Sequence, residues 1–232
     1  MRGHYGNIPI GGLLPVSFLD WEGRVASVVF IQGCNFRCPY CHNRDLVLRL
    51  TETLDPKQVI KEIERKKNFL DGIVISGGEP TLSLELPFFI RQLKGEIKLP
   101  VKLDTNGSNP NMLAMLIDEG LISAVAMDIK GPWAKYSDIT RSKVDINKIL
   151  ESLRLIKQSG IEYVLRTTYV PQLMSLEDLR KIQEQISYDT AWRIQLFRPN
   201  STLDESFSDY DSPSPESIKD FFPDVPVVGI DL

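Results

Sequence analysis

Six short apolar runs alternate along the chain with stretches of helical periodicity, and this alternation restricts the chain to an α/β architecture. The runs are almost continuously apolar, as expected for parallel strands that are covered on both faces. Because no repeat and no Pro/Gly-rich linker interrupts the alternation, we expect one domain over residues 1–232, with an N-terminal extension (1–20), a strand-and-helix body (25–199) and an acidic C-terminal segment (200–232). The predicted strands are residues 25–31, 72–76, 101–104, 123–129, 163–170 and 192–197.

Helix start signals lie between the predicted strands. A proline, or a side chain that can accept a hydrogen bond from the first turn, marks the start of each predicted helix. Gly120 and Gly160 follow two of these helices and can end them in a left-handed conformation. The predicted start signals are Asp55, Ser83, Pro110, Asp145 and Ser175.

Two segments fall outside this alternation. Residues 131–144 form a polar connection that is long enough to act as a lid or a partner surface. Residues 200–224 carry seven acidic side chains and one lysine. This acidic segment is either a solvated, partly mobile tail or a flap over the mouth of the fold.

Composition excludes several classes of function. No apolar run approaches the roughly 20 residues of a membrane span, and the N-terminus lacks the pattern of a signal peptide, so we expect a cytoplasmic protein with no membrane partner. The 27 basic and 31 acidic residues argue against a nucleic-acid partner. The three cysteines lie close together in the sequence, which excludes a disulfide framework and favours a metal or redox site in a reducing compartment.

These residues, Cys34, Cys38 and Cys41, follow the first predicted strand in what we call the cysteine loop, residues 34–41. Barrel enzymes place their chemistry in loops at the carboxyl ends of strands, and thiolates are the ligands of iron–sulfur clusters. Three ligands leave one iron of a four-iron cube open to an outside ligand. The alternative is a zinc site completed by His42, but zinc sites favour cysteine pairs with a distant second half, and adjacent residues chelate awkwardly together.

The C-x3-C-x2-C spacing after the first strand resembles that of the radical S-adenosylmethionine (SAM) superfamily. The resemblance implies a partial (β/α)6 barrel over residues 25–199, a [4Fe-4S] cluster on the three cysteines, and SAM chelated to the open iron through its amino and carboxylate groups. It also implies that Tyr40 packs near the adenine of SAM and that His42 and Asn43 belong to the cofactor site.

The second predicted strand is followed directly by the tetrapeptide Gly77-Gly78-Glu79-Pro80. Paired glycines let the backbone approach a ligand closely, and a carboxylate can accept hydrogen bonds from an ammonium group. Alone, this tetrapeptide is more often a turn. Behind the cysteine loop it resembles the superfamily motif that holds the SAM amino group, which implies that role for Gly77, Gly78 and Glu79.

Polar and charged residues also follow the third and fourth strands, where they either form a site or merely cap the strand ends. Both segments resemble their counterparts in glycyl-radical-enzyme activases. The resemblance implies SAM contacts at Asp128 and Lys130 and a monovalent cation at Asp104 and Asp128. The other residues that it assigns to the SAM or cation site are Thr105, Asn106 and Met127.

Arg166 lies inside the apolar fifth strand. An inward-facing arginine is costly unless an anion pairs with it. The carboxylate of SAM is one candidate partner for this guanidinium. The alternative is an arginine that faces outward and pairs with a surface acid.

Residues 17–43 most resemble the activating proteins of anaerobic ribonucleoside-triphosphate reductase, and so does the sixth-strand segment 195–199. Pyruvate formate-lyase activating enzymes share Cys41-His42-Asn43 but usually offer a histidine near the sixth strand. The histidines of this chain are His4 and His42. One cluster uses all three cysteines, so we expect no auxiliary cluster.

The implied activity is that of an oxidoreductase, a radical SAM activase. Reduced flavodoxin or ferredoxin supplies an electron, SAM is cleaved to methionine and a 5′-deoxyadenosyl radical, and this radical abstracts a hydrogen from one glycine of a partner glycyl radical enzyme. The resemblance points to anaerobic ribonucleoside-triphosphate reductase as that partner. The alternatives are a pyruvate formate-lyase-type activating enzyme, a small-molecule radical SAM enzyme such as 7-carboxy-7-deazaguanine synthase, and a metal-binding interaction module without catalysis.

Overall fold

The computed structural model describes residues 7–229, which divide into two compact units. The first unit contains residues 7–34, 45–126 and 147–162. The second contains residues 35–44, 127–146 and 163–229. His4, with the first part of the expected N-terminal extension (1–6), and the last part of the acidic segment (230–232) lie outside the described residues.

Strands and helices alternate over most of this range. In chain order they are β1 (Ile10–Ser17), β2 (Ala26–Ile31), α1 (Arg44–Val47), α2 (Pro56–Lys66), β3 (Gly72–Gly77), α3 (Leu86–Ile97), β4 (Val101–Thr105), α4 (Pro110–Asp118), β5 (Ala124–Asp128), α5 (Tyr136–Thr140), α6 (Ile146–Gln158), β6 (Glu162–Tyr169), α7 (Leu176–Gln185), β7 (Trp192–Leu196), α8 (Pro215–Phe221) and β8 (Val227–Val228). None of the helices formed by residues 7–229 has the length and apolar character needed to span a bilayer.

Strand order in the first unit follows chain order. β1 runs antiparallel to β2, and β2, β3 and β4 then pair in parallel. The indole N–H of Trp21 donates to the Glu162 carboxylate at 3.0 Å, so this buried side chain has a hydrogen-bond partner for its one polar group. Because parallel strands end at the same edge, the segments that follow β2, β3 and β4 emerge together. The core cluster of these strands consists of Trp21, Ala26, Val28, Val74 and Ala124, with Phe30 packed against it.

In the second unit, β6 pairs in parallel with β7, and β7 with β8. The last two residues of β5 also belong to this unit. The Ile129 N–H donates to the Arg166 carbonyl oxygen at 2.8 Å, so the chain directly after β5 is tied to β6. This bond fixes the backbone between Asp128 and Lys130.

The six predicted strands are confirmed, with limits that differ from the structure by at most one residue. Two further strands, β1 and β8, were not predicted. β1 contains Gly11, Gly12 and Pro15, which are all unfavourable in strands, and β8 is only two residues long. Residues 10–17, which the sequence places in an extension, are therefore part of the sheet.

Four of the five predicted helix starts are confirmed, at α2, α4, α6 and α7. The start at Ser83 is wrong. α3 begins at Leu86 after Glu85, and Ser83 instead ends a short 3-10 turn, Pro80–Leu82. The left-handed glycines are confirmed, with φ of 61° at Gly120 and 74° at Gly160.

The two segments that fall outside the predicted alternation are both packed. Residues 131–144 contain a 3-10 turn, Trp133–Lys135, and α5, and Tyr136 and Ile139 are buried. In the acidic segment, Ile218 on α8 is 0% exposed and Phe222 is 4% exposed. Apolar side chains at wide spacing therefore anchor both stretches. The polar connection is partly helical and buried, and the acidic segment is not a free tail, although most of its acidic side chains are exposed to solvent.

The amino end of α7 gives a stability prediction. Ser175 and Asp178 form a reciprocal capping box, in which the Ser175 hydroxyl accepts from the Asp178 N–H. Ser175→Ala removes that acceptor, so we expect the free energy of unfolding in urea to fall by about 1 kcal/mol. Ser214→Ala is the matched control, because Ser214 precedes α8 without a capping hydrogen bond. An equal loss in both variants would contradict this assignment.

Candidate active site

The cysteine loop leaves β2 through Gln32 and Gly33. Gly33 has a φ of 89°, which favours glycine, and its N–H donates to the Leu46 carbonyl oxygen at 2.7 Å. The buried Gln32 side chain donates to the Thr53 hydroxyl at 3.2 Å. These contacts fix the point at which the strand becomes the loop, and thus place Cys34 in the first unit.

Cys38 and Cys41 lie in the second unit. The Cys41 N–H donates to the Cys38 carbonyl oxygen at 3.1 Å, so a single turn joins them. Burial raises the pKa of Cys38 to about 11, and the charge of Lys130 partly opposes this rise. Burial also raises the pKa of Cys41, against a backbone hydrogen bond from Asn43. Both groups are therefore thiols until a metal displaces the proton.

The donor set fits an iron–sulfur cluster by its chemistry. None of the three cysteines forms a disulfide, and thiolates are the soft ligands of iron–sulfur clusters. Residues 7–229 contain no group of three or more His, Cys, Asp or Glu side chains gathered so that they could hold a metal ion. The assignment of a cluster to Cys34, Cys38 and Cys41 therefore depends on their spacing and chemistry rather than on an assembled geometry.

His42 and Tyr40 both make close contacts within the second unit. His42 Nε2 lies 2.7 Å from the Arg198 carbonyl oxygen, and its ring stacks on Phe197 with centroids 6.4 Å apart. Because a carbonyl only accepts, Nε2 carries the hydrogen and is engaged with backbone, which weighs against zinc ligation through that atom. Tyr40 is buried, and burial raises the pKa of its hydroxyl well above the ordinary value.

Gly77 and Gly78 pack against the backbone that leads into the cysteine loop. A Cβ at Gly77 would lie 2.3 Å from the Ile31 carbonyl oxygen, and one at Gly78 would lie 2.2 Å from the Gly33 carbonyl oxygen. The Gly78 N–H donates to Ile31, and the Glu79 N–H donates to Gly33, both at 2.8 Å. The predicted close backbone approach therefore exists. In this structure the two glycines approach the backbone that leads into the cysteine loop in the first unit.

Glu79 is a buried carboxylate at the centre of a hydrogen-bond network. Its Oε1 atom accepts from the Thr81 N–H at 3.1 Å, from the Thr81 hydroxyl at 2.5 Å and from the Thr105 hydroxyl at 2.8 Å. Its Oε2 atom accepts from the Asn106 N–H at 2.6 Å. Burial raises the pKa of Glu79, and these hydrogen bonds partly oppose the rise. The carboxylate therefore ties the segment after β3 to the end of β4.

Glu79→Gln is expected to destabilise the protein. Each carboxylate oxygen accepts from one backbone N–H, of Thr81 or of Asn106, so either orientation of a glutamine puts its NH2 against a donor. We expect the free energy of unfolding to fall by about 2 kcal/mol. Glu85→Gln, at an exposed glutamate before α3, is the matched control in the same denaturation experiment. Equal stability of the two variants would show that the network is not required.

Asp104 faces a lysine from its own strand. Its Oδ1 atom lies 3.4 Å from Lys102 Nζ, and its Oδ2 atom accepts from the Ser76 hydroxyl at 3.4 Å. Lys102 also donates to the Asp20 carbonyl oxygen. A monovalent cation at Asp104 would therefore have to compete with an ammonium group that is already present.

Asn106 and Met127 are buried. The Asn106 side chain donates to Cys34 Sγ at 3.9 Å, in addition to the backbone bond with Glu79. In the first unit, the ends of β2, β3 and β4 are thus connected through Cys34, Glu79 and Asn106.

Asp128 bridges two cationic side chains in the second unit. Its Oδ1 atom accepts from Arg166 Nε at 2.8 Å, and its Oδ2 atom accepts from Lys130 Nζ at 2.9 Å. Burial alone would raise the pKa of Asp128, but Arg166 and Lys130 outweigh it and hold the pKa at about 2. Arg166 therefore pairs with a neighbouring strand residue rather than a surface acid, and the three groups together carry one net positive charge.

Sequence reasoning missed two supporting residues, Lys102 and Thr81. Lysine and aspartate two positions apart in a strand share a face, so residues 102 and 104 carried a usable signal for the pair. No comparable signal marks Thr81, because its contact with Glu79 depends on the 3-10 turn Pro80–Leu82.

The fold matches those of solved radical SAM enzymes. A crystal structure of Streptococcus suis SuiB bound to precursor peptide SuiA has a TM-score of 0.63 at 13% identity, covering 87% of this chain and 48% of that one. Coproporphyrinogen III oxidase (HemN) from Escherichia coli has a TM-score of 0.58 at 15% identity, covering 84% of this chain and 50% of that one. The chain thus spans about half the length of these structures. The predicted fold class, α/β with a mostly parallel sheet, is confirmed, and the match is consistent with a partial barrel.

A family model for the radical SAM superfamily matches residues 28–186, and this chain belongs to that superfamily. It is therefore an enzyme of a class that uses a [4Fe-4S] cluster and SAM.

Curated relatives are similar along most of the chain. A putative glycyl-radical enzyme activating enzyme of Methanocaldococcus jannaschii is 34% identical over 91% of this chain and 89% of its own length. A pyruvate formate-lyase-activating enzyme of Clostridium pasteurianum is 30% identical over 72% of this chain and 71% of its own. The predicted resemblance to activating enzymes is confirmed at this general level.

Proposed function

We propose that this protein is a radical SAM activase that generates a glycyl radical on a partner enzyme, and that the partner is anaerobic ribonucleoside-triphosphate reductase. The observation that carries the general proposal is the 34% identity to a putative glycyl-radical enzyme activating enzyme over 91% of the chain. The choice of reductase depends on the resemblance of residues 17–43 and 195–199 to the reductase-activating type. The relatives named for pyruvate formate-lyase make that enzyme the competing partner.

In this proposal, Cys34, Cys38 and Cys41 hold the [4Fe-4S] cluster as thiolates. When bound, the cluster supplies the electron that cleaves SAM to methionine and a 5′-deoxyadenosyl radical. Lys130 favours the thiolate form of Cys38, since its charge opposes the rise in the pKa of that group. Tyr40 provides buried aromatic surface for the adenine, and His42 and Asn43 hold the chain next to Cys41.

The remaining proposed residues bind and orient SAM. Gly77, Gly78 and Glu79 present backbone to the amino group of SAM, and the Glu79 network with Thr105 and Asn106 keeps that backbone in place. Asp128, Lys130 and Arg166 carry one net positive charge, which suits the carboxylate of SAM. Asp104 and Asp128 are the proposed ligands of a monovalent cation, together with Thr105 and Met127. We also propose a single radical SAM domain for the whole chain.

The partner assignment is tested by electron paramagnetic resonance. Reconstituted, reduced protein would be incubated anaerobically with SAM and either anaerobic ribonucleoside-triphosphate reductase or pyruvate formate-lyase. We expect a glycyl-radical doublet with the reductase and none with the lyase. A doublet only with the lyase would make pyruvate formate-lyase the partner. SAM cleavage without a doublet on either protein would favour a small-molecule substrate.

We also infer a cytoplasmic location and reduced flavodoxin or ferredoxin as the electron donor. The three cysteines lie within eight residues of sequence and form no disulfide, which favours a reducing compartment and supports the location. Replacing dithionite with each reduced donor protein in the SAM-cleavage assay tests the donor. Product with dithionite but with neither donor protein would exclude both candidates.

A further inference from the structure

A segment of the acidic C-terminal region is bound directly to the cysteine loop in the second unit. The Leu203 N–H donates to the Cys41 carbonyl oxygen at 2.8 Å, and the Asp204 N–H donates to the Pro39 carbonyl oxygen at 3.0 Å. Two successive amides thus contact alternate carbonyls of the loop. Residues 203–204 therefore hold the same stretch of backbone that carries Cys38 and Cys41.

The end of α5 holds the loop as well. The Arg37 N–H donates to the Thr140 carbonyl oxygen at 2.9 Å. The ring of Phe36 packs edge-on against Tyr136, with centroids 6.3 Å apart. Two bracing segments, residues 136–141 and 203–204, therefore contact residues 36–41 of the loop.

An ion pair joins these two bracing segments. Arg141, directly after α5, has its Nη1 atom 2.5 Å from Asp204 Oδ2, and its guanidinium lies 5.8 Å over the ring of Phe207. The other oxygen of Asp204 accepts from the Ser206 N–H at 3.1 Å, which orients the carboxylate. Arg141 ends α5 in a left-handed conformation with a φ of 46°, a common way for a helix to end.

We propose that Arg141 and Asp204 are positioning residues for the cluster: by joining the two bracing segments, they keep residues 36–41 in the conformation in which Cys38 and Cys41 bind iron. This inference rests on the proposed function, in which those cysteines are ligands. Loss of the cluster requires the loop to open, and the ion pair opposes this opening. An exposed ion pair changes such an equilibrium by up to about fivefold.

The test compares Arg141→Gln, Asp204→Asn and the double variant after anaerobic reconstitution. Each single variant is expected to lose its visible cluster absorption to an iron chelator about three to five times faster than the wild type. The double variant should lose it no faster than either single variant, because all three lack the same interaction. Asparagine keeps the Oδ1 acceptor for Ser206, so Asp204→Asn removes charge with little change of shape.

Arg180→Gln is the matched control. Arg180 is as exposed as Arg141 (48% against 49%), pairs with Glu177 at 3.9 Å and lies 4.6 Å over the ring of Phe221, but its ion pair is internal to α7. It should leave the rate of cluster loss unchanged, with a thermal midpoint similar to that of Arg141→Gln. Equal rates of cluster loss in Arg141→Gln and Arg180→Gln, or additive effects in the double variant, would overturn the inference.

Hydrogen exchange gives a second measurement that does not need the cluster. In cluster-free protein, Arg141→Gln should speed exchange at the amides of Leu203 and Asp204 about three- to fivefold, and Arg180→Gln should not. Unchanged exchange at these amides would overturn the coupling. Wild-type protein that takes up no iron would overturn the proposed function and this role with it, whereas a cluster lost at the wild-type rate from Arg141→Gln overturns this inference alone.

Discussion

Cys38→Ala is expected to abolish both the [4Fe-4S] cluster and the production of 5′-deoxyadenosine from SAM. The proposed site offers three thiol ligands, and alanine removes one of them. The measurements are the iron content of anaerobically reconstituted protein and chromatographic quantification of 5′-deoxyadenosine after reduction with dithionite. We expect product in the variant to fall to the background of a reaction without protein.

Ser214→Ala is the control, because it is an equally small change in the same compact unit and lies outside the proposed site. It should keep full iron content and activity. A Cys38→Ala variant with full iron and full activity would remove Cys38 from the ligand set. Wild-type protein that binds zinc instead of iron and cleaves no SAM would contradict the activase proposal and favour the zinc alternative.

Gly78→Ala is expected to cause a large loss of stability. The added Cβ would lie 2.2 Å from the oxygen and 2.6 Å from the carbon of the Gly33 carbonyl, and both atoms are backbone. They can move only if the segment leading into Cys34 moves as well. We expect the free energy of unfolding to fall by about 3 kcal/mol in urea denaturation. Cluster content should fall too, since Cys34 follows Gly33 directly.

Gly95→Ala is the matched control. Gly95 lies in α3, and a Cβ there would meet no atom within 4 Å. Alanine is the better helix former, so this variant should be about 1 kcal/mol more stable than the wild type. The two substitutions are chemically identical, but they should change the free energy of unfolding in opposite directions. A Gly78→Ala protein as stable as the wild type would show that the close backbone approach is not a constraint.

Most of the sheet could be predicted from local sequence. A buried parallel strand is apolar on both faces, so β2, β3 and β5 appear as nearly continuous apolar runs, and turn residues limit their ends. β1 could not be found in this way. Its two glycines and Pro15 break the pattern, and its place in the sheet depends on pairing with β2.

The candidate residues of the site were also chosen from the sequence, by spacing and by position after a strand. Their assignment to the cluster and to SAM stays a prediction. What the residues contact could not be predicted, because these contacts join segments far apart in the chain. Arg166 pairs with Asp128, and Glu79 accepts from Thr105 and Asn106.

The sequence by itself determined the α/β class, the cysteine spacing and the superfamily, since each depends on short patterns along the chain. Only the tertiary structure decided which partners neutralise the buried charges and what holds the cysteine loop. Residues 131–144 and 200–224 look like polar loops because their apolar residues are widely spaced. In the fold they supply Thr140, Leu203 and Asp204 to the loop backbone, since a hydrogen bond to a main-chain amide or carbonyl requires no particular side chain and so leaves no pattern in the sequence.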